Sequence, residues 1–127
     1  MATQALNLSL NLQTEPSVSG IFSLNKTITD SVNFSNTVVS SATVTVPTGG
    51  TGLQIIAASG GSTKVVYTYI KNTDLINFVV LKNDAGNVWG RLLPGEWGFF
   101  PVALVAGFEA QADTADVICE YAIFQSP

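Results

Sequence analysis

The sequence predicts an all-β protein, a single-domain β-sandwich or jelly roll of roughly 8–10 short antiparallel strands. Three observations predict this fold class. Val fills 14 and Thr fills 13 of the 127 positions, and both are β-branched residues that favour extended backbone. Apolar and polar residues alternate along several segments, and turn signals recur at intervals of roughly 8–12 residues. The length suits one domain with its own core.

The first segment alternates leucines with polar residues. Single Asn or Ser residues separate Leu6, Leu8, Leu10 and Leu12. This period of two predicts a strand with one apolar face. Pro16 then interrupts strand pairing. We therefore expect an N-terminal arm or edge strand over residues 1–16 and a β-sandwich domain over residues 17–127. The arm either adds a strand to a neighbouring subunit or forms the first strand of its own subunit's sheet.

Further alternating or apolar runs predict the strands of the main domain. They are residues 18–28, continued by Val32 and Phe34, and then 37–46, 53–58, 63–71, 75–82, 88–92, 97–102 and 117–125. We expect one helical turn within residues 104–112.

Turn signals separate these strands. Glycine-rich loops lie at 47–52 and 59–62. Asn83-Asp84-Ala85-Gly86-Asn87 predicts a hairpin turn. Leu93-Pro94-Gly95-Glu96 places Pro and Gly at the two central positions of a type II turn.

Several predicted strands are apolar on both faces, namely residues 79–81, 97–100 and 118–119. A lone sandwich needs only one apolar face per sheet. Charged residues, which usually guard sheet edges, make up only 11% of the chain. We therefore expect subunits to pack on each other or on a larger shell. The alternative is that loops cover these strands.

Charge and histidine content narrow the function classes. Five Lys/Arg against nine Asp/Glu give a net charge of −4, which argues against nucleic-acid binding because such proteins need a basic face. Without histidine the chain lacks the commonest general base and the commonest transition-metal ligand. We expect no enzymatic activity and no catalytic residues.

No motif predicts a cofactor or metal. The glycines of loop 47–52 lack the spacing of a dinucleotide-binding loop and the Lys of a phosphate-binding loop. Cys119 lies in an apolar run, which predicts a buried thiol. Asp84, Asp113 and Asp116 are loop carboxylates of the kind that calcium accepts, but the EF-hand spacing is missing. Turn formation explains Asp84 equally well.

The sequence carries no signal for membranes or secretion. The N-terminus lacks the basic segment and apolar run of a signal peptide. The longest apolar runs fall far short of the roughly 20 residues that span a bilayer. A single cysteine cannot form an internal disulfide. We expect no membrane partner.

Aromatic residues provide an alternative function. A carbohydrate-binding β-sandwich module presents flat rings to sugars, and five residues could serve here: Tyr67, Tyr69, Trp89, Trp97 and Tyr121. Alternation places two of these tyrosines on the face of Val65, which favours a place in the core or in a subunit interface.

Motifs in the second half resemble small all-β structural proteins of tailed bacteriophages. They are Tyr69-Ile70-Lys71-Asn72-Thr73-Asp74 with Asn77-Phe78-Val79, Leu92-Leu93-Pro94-Gly95-Glu96, Ala110-Gln111-Ala112 and Glu120-Tyr121-Ala122-Ile123-Phe124. In that pattern an Asn-Thr-Asp turn joins two strands, and a Leu-x-Pro-Gly-Glu turn precedes an apolar strand. The resemblance covers about residues 64–126. The first half matches in composition alone.

The resemblance implies a virion component, assembled in the host cytoplasm: a capsid decoration (cement) protein, or a tail or head–tail subunit. It implies no catalysis. The implied partners are further copies of the chain, with a trimer favoured, and the major capsid protein or other virion proteins. The residues themselves point to apolar assembly contacts, for which the candidates are Leu6, Leu8, Leu10, Leu12, Trp89, Trp97, Phe99 and Phe100.

Overall fold

The computed structural model describes residues 4–13, 25–34 and 36–127. This part of the chain forms ten strands, and all their pairings are antiparallel. They are β1 (Gln4–Gln13), β2 (Asn25–Phe34), β3 (Asn36–Val46), β4 (Leu53–Ile56), β5 (Val65–Asn72), β6 (Val79–Lys82), β7 (Val88–Leu92), β8 (Trp97–Ala103), β9 (Phe108–Ala112) and β10 (Val117–Gln125). Over the described ranges no helix has the length and apolar character needed to cross a membrane.

Eight of the strands form two packed sheets with jelly-roll connectivity. Sheet I has the order β3-β10-β5-β8, and sheet II has the order β4-β9-β6-β7. The strand pairs are nested: β3–β10, β4–β9, β5–β8 and β6–β7. Strands β3 to β10 therefore form one long antiparallel ribbon that folds back on itself and wraps into two layers. The predicted all-β fold is confirmed.

The core lies between the inner faces of the two sheets. Strand β5 shows why: its buried residues alternate with partly exposed ones along the whole strand, as a period of two requires. The buried apolar set is Val46, Val66, Ile70, Val102, Val117, Cys119 and Ile123 from sheet I, with Ile56, Val79, Leu81, Leu92, Phe108, Ala110 and Ala112 from sheet II. Cys119 is a buried free thiol, and desolvation raises its pKa to about 11.

Strands β1 and β2 form a separate two-stranded sheet, which we call the hairpin. Leu6 lies opposite Val32 and Leu10 lies opposite Ile28, so apolar side chains of both strands share one face. β1 therefore pairs with a strand of its own chain. Residues 18–24 of the predicted run 18–28 lie outside the described residues. The rest of that run, 25–28, belongs to β2.

The hairpin lies against the outer face of sheet I. Phe34, at the end of β2, is buried, and its ring centroid is 4.9 Å from that of Phe124 in β10. Tyr67 and Phe99 stack on the same outer face, with ring planes 1° apart and centroids 6.3 Å apart. The molecule therefore has a third, partial layer on one side of the sandwich.

Two predicted turns are present. The Glu96 amide donates to the Leu93 carbonyl at 3.0 Å, and Gly95 has φ +79°, as the third position of a type II turn requires. Between β6 and β7 the Gly86 amide donates to the Asn83 carbonyl at 2.9 Å.

The predicted strand 75–82 is shorter in the structure, because β6 begins at Val79. The Asp74 carboxylate accepts hydrogen bonds from the amides of Ile76 and Asn77, and this closes a turn in place of extended backbone. Leu75 and Ile76 are consequently 90% and 83% exposed.

The stretch 104–112 contains the expected single turn at its start and an additional strand after it. The amides of Ala106 and Gly107 both donate to the Ala103 carbonyl, so a single hydrogen-bonded turn is present there. The remainder, Phe108–Ala112, is strand β9. Gly107 ends the turn because it adopts φ +69°, a backbone conformation that glycine tolerates without strain.

Asn72 connects three loops at one end of the sandwich. It is 0% exposed, and its side-chain amide donates to the carbonyls of Asn77 and Leu92 at 2.9 and 3.2 Å. Its side-chain oxygen accepts from the Asp74 amide at 2.9 Å. Its backbone N–H and C=O bond to Glu96 and Gly95. One buried amide therefore satisfies main-chain groups that no strand pairs.

We expect Asn72→Ala to lower the free energy of unfolding by about 2–4 kcal/mol, because it removes the side-chain partner of a buried carbonyl, a partly buried carbonyl and a partly buried amide. Urea denaturation monitored by Trp fluorescence measures this. Asn87→Ala is the matched control, since its side chain is exposed, and its effect should stay within about 0.5 kcal/mol. Equal effects of the two variants would contradict the role given to Asn72.

Candidate functional site: an apolar assembly surface

The structure separates the eight predicted assembly contacts into two groups. Leu8 and Leu10 of β1 lie beside Trp97 and Phe99 of β8, on the outer side of sheet I. Leu6 and Leu12 lie on the same face of β1. Trp89 and Phe100 lie elsewhere, where the edges of the two sheets meet. The first group lies on the hairpin side of the molecule, whereas in the second group Phe100 packs against the core and Trp89 is half-exposed.

A groove separates the hairpin from sheet I, and we call it the hairpin groove. Its volume is about 230 Å³. Its apolar walls come from both layers: Leu8, Leu10, Ile28, Trp97 and Phe99, with Ser9 and Asp30 at its margin. The hairpin therefore covers the aromatic outer face of sheet I without filling the space in between.

The apolar face of the hairpin becomes more exposed towards its tip. Leu6 and Leu8 are partly buried, whereas Leu10, Leu12 and Ile28 are 37%, 40% and 43% exposed. Trp97, across the groove, is 54% exposed. Apolar side chains clustered in this way on a surface are typical of protein–protein contact sites.

The edges of the hairpin are also available. In the described part of the chain, β1 and β2 pair only with each other, so each presents an unpaired edge. β1 contains no charged residue, and β2 contains only Lys26 and Asp30. Edge strands with so few charges are poorly guarded against pairing with another chain, and a two-stranded hairpin has little stability of its own.

Trp89 and Phe100 meet at the open edge of the sandwich, which we call the aromatic seam. β7 and β8 are the last strands of sheets II and I. The Trp89 and Phe100 ring centroids are 4.9 Å apart and edge-to-face, and both rings contact the fully buried Phe108. Phe100 packs against the core, whereas Trp89 remains 49% exposed.

A cavity of about 300 Å³ opens beside the aromatic seam. It is lined by Asn83, Trp89, Phe100, Pro101, Val102, Ala103, Ala106 and Gly107. Of the predicted sugar-binding set, Trp89 therefore borders this cavity, and Trp97 borders the hairpin groove. Tyr67 and Tyr69 lie on the outer face of sheet I, and Tyr121 packs against the core.

The sequence did not predict a second exposed apolar cluster near Asn72. Its members are Leu75, Ile76, Leu93 and Ile118, with exposed fractions of 90%, 83%, 48% and 55%. The available signal was the Asn-Thr-Asp turn at 72–74, which ends β5 and directs the next two residues away from the sheet.

Stability should be constant between about pH 6 and 8, because no histidine is present and other side chains titrate outside that range. Hydrogen bonds from Asn77 lower the pKa of Asp74, and those from Gln54 and Ala58 lower that of Asp84. A depressed carboxyl pKa contributes stability above the unfolded value, so stability should fall below about pH 4. The raised pKa of Cys119, about 11, predicts a second loss above about pH 9, where the unfolded thiol ionises first.

Denaturation midpoints measured from pH 2 to 11 would check this profile. Asp84→Asn should reduce the loss in acid, and Cys119→Ala should reduce the loss in alkali. A step near neutrality in the parent protein would show that another titrating group has been missed.

Compared with protein-family models, with curated proteins and with solved structures, the chain matches none of them.

Proposed function

We propose that the protein is a non-enzymatic structural component of a tailed-phage virion, a capsid decoration (cement) protein that stabilises the head by apolar and strand-pairing contacts. One observation carries the assembly part of this proposal: an incompletely covered apolar hairpin next to Trp97. The virion part comes from the turn motifs of the second half. The jelly roll is common in viral capsid proteins but also in lectins, so the fold alone assigns no function.

The apolar surface accounts for part of the binding energy. Full burial of a large apolar side chain contributes about 1.5–3 kcal/mol. Leu10, Leu12, Ile28 and Trp97 are 37–54% exposed, so covering all four contributes about 3–5 kcal/mol before ordering costs. Because this apolar contribution is modest, the remaining binding energy would come from main-chain hydrogen bonds at the hairpin edges and from repetition of the contact over many copies.

The proposed partners are further copies of the chain, with a trimer favoured, and the major capsid protein or another virion protein. A tail or head–tail subunit would use the same surface. Ion pairs have a small part in this mechanism, because the described strands of the hairpin carry only two charges.

Replacing Leu10, Leu12 and Ile28 together by Thr should convert the oligomer to monomer, because Thr keeps the β-propensity and removes much of the apolar area. Sedimentation velocity at micromolar concentration measures the assembly state, and circular dichroism checks the fold. Asn7 and Asn11, both replaced by Thr, form the matched control on the opposite face and should remain oligomeric. A monomeric parent protein, or an oligomer that 0.5 M NaCl dissociates, would contradict the mechanism.

The virion assignment has its own test. Phage particles purified from the host that produces this protein should contain it in stoichiometric amounts with the major capsid protein, measured by quantitative mass spectrometry. Its absence from such particles would overturn the assignment, whatever the oligomeric state.

The cavity at the aromatic seam favours a carbohydrate-binding module as the second candidate function, because half-exposed Trp89 lies beside the Asn83 amide and could stack on a sugar ring. On a glycan array, Trp89→Ala should then lose binding at least tenfold, while Trp97→Ala, in the hairpin groove, should retain it. If the parent protein binds no glycan, this second function is excluded.

A further inference from the structure

A row of polar residues crosses the outer face of sheet II. Gln54 of β4 and Lys82 of β6 both lie opposite Glu109 of β9 in the strand register. Despite this position, Glu109 and Lys82 are only 5% and 7% exposed.

The glycine-rich loop 47–52 contributes to this burial. The Gln111 side chain donates to the carbonyls of Thr48 and Gly50, at 2.8 and 3.3 Å. The Lys82 ammonium donates to the Thr51 carbonyl at 2.9 Å. The loop is therefore held over the sheet by Lys82 of the polar row and by Gln111, two residues along β9 from Glu109.

Glu109 is the incompletely satisfied member of the row. Its Oε2 atom is buried and has no hydrogen-bond partner among the residues that the structure describes. Lys82 directs its ammonium group to Thr51 and to Gln111 Oε1, at 2.9 and 2.7 Å. A carboxylate oxygen buried without a partner is costly, so the site lacks a positively charged or hydrogen-bonding group.

A second carboxylate lies near Glu109 at this point. Asp84, in the turn between β6 and β7, accepts hydrogen bonds from the Gln54 side-chain amide at 2.5 Å and from the Ala58 amide at 3.1 Å. Gln54 is the residue opposite Glu109 in the strand register, and Glu109 is among the groups that lower the pKa of Asp84, after Gln54 and Ala58. Two carboxyl groups this near each other repel unless a proton or a cation lies between them.

The backbone fixes the position of Asp84. Gly107, at φ +69°, passes so close that an added Cβ would lie 2.8 Å from Asp84 Cβ, from the Ala58 nitrogen and from the Ile56 carbonyl oxygen. The Asp84 amide also donates to the Ala106 carbonyl at 3.0 Å. Asp84 is therefore held in place from two sides.

We propose that Asp84 and Glu109 bind a divalent cation of the calcium type, with Glu109 Oε2 as a ligand and the Gln54 side-chain oxygen completing the protein donors. Calcium prefers carboxylate and amide oxygens and tolerates irregular geometry. The Gln54 oxygen becomes available when its amide is turned over, since the two amide ends are nearly isosteric. Within the described ranges no group of three or more Asp, Glu, His or Cys side chains gathers as a metal site. Water therefore fills the other positions, and the affinity is modest, about 10⁻⁴–10⁻³ M.

This site is independent of the assembly surface, since it lies on sheet II and not on the hairpin side of the molecule. Sequence reasoning had considered Asp84 only with its neighbours in the turn. Glu109 is brought to it by the pairing of β9 with β4 and β6, which no local spacing reveals.

The test is a set of thermal melts of the full chain at pH 7.5 and constant ionic strength, with 10 mM CaCl₂ or with EGTA. We expect calcium to raise the Tm of the parent protein by about 5–10 °C, from the affinity above and the size of the domain. Glu109→Gln and Asp84→Asn should each abolish the rise, and Asp113→Asn, an exposed acid elsewhere, should retain it. Calorimetric titration with CaCl₂ should give one site in the parent protein and none in Glu109→Gln.

Three outcomes would overturn the proposal. The first is a parent Tm that calcium does not change. The second is an equal rise in Glu109→Gln, which indicates non-specific screening. The third is a pair of results: the parent protein binds no calcium, and the Glu109→Gln variant is more stable than the parent without calcium. Together they indicate that the two carboxyl groups share a proton.

Discussion

Burial of one apolar face of each four-stranded sheet against the other is the constraint on which the rest of this structure depends. Among the residues whose burial is described, fourteen from the two sheets make up that core. The nested pairing of β3–β10 with β4–β9, β5–β8 and β6–β7 places them there. Once these faces are joined, every other property of the chain depends on the outer faces, the open edges and the loops at the two ends.

The two outer faces differ in chemistry. Sheet I carries aromatic residues such as Phe99 and Phe124, and the hairpin packs over part of them. Sheet II carries the polar row of Gln54, Glu109 and Lys82 under a glycine-rich loop. One outer face is therefore suited to further apolar contact, whereas the other contains a charge arrangement that a cation would complete. The assembly proposal and the cation proposal rest on these separate faces and are independent of each other.

Low charge links the composition to the surface. With 14 charged residues in the chain, few charges remain to guard strand edges or to form an electrostatic interface. The hairpin has two in its described strands. The proposed assembly contacts are apolar and repeated, and they would use the exposed side chains of Leu10, Leu12, Ile28 and Trp97. Such contacts suit a dense symmetric assembly because salt does not weaken them.

Local pattern by itself determined most of the secondary structure. Alternating or apolar runs placed β1, β3, β5, β7, β8 and β10 close to their observed bounds. In β5 the signal was alternation, because a strand with one buried face repeats its apolar residues with a period of two. The type II turn at 93–96 followed from its Pro-Gly pair, and the buried thiol of Cys119 followed from its apolar neighbours. Local pattern was less reliable at 75–82 and 104–112. There an Asp74 side chain and a glycine with positive φ redirect the backbone, and apolar content alone does not reveal either effect.

Only the tertiary structure decided which residues share a site. Leu8 and Leu10 meet Trp97 because the hairpin packs on the outer side of sheet I. Trp89 is separated from them because β7 ends the other sheet. Asp84 meets Glu109 through the pairing of β9 with its neighbours. Sequence determines the face on which a side chain lies, because that is a local property of an extended backbone. Which faces come together depends on long-range strand pairing, and in a jelly roll almost every such pair is distant along the chain.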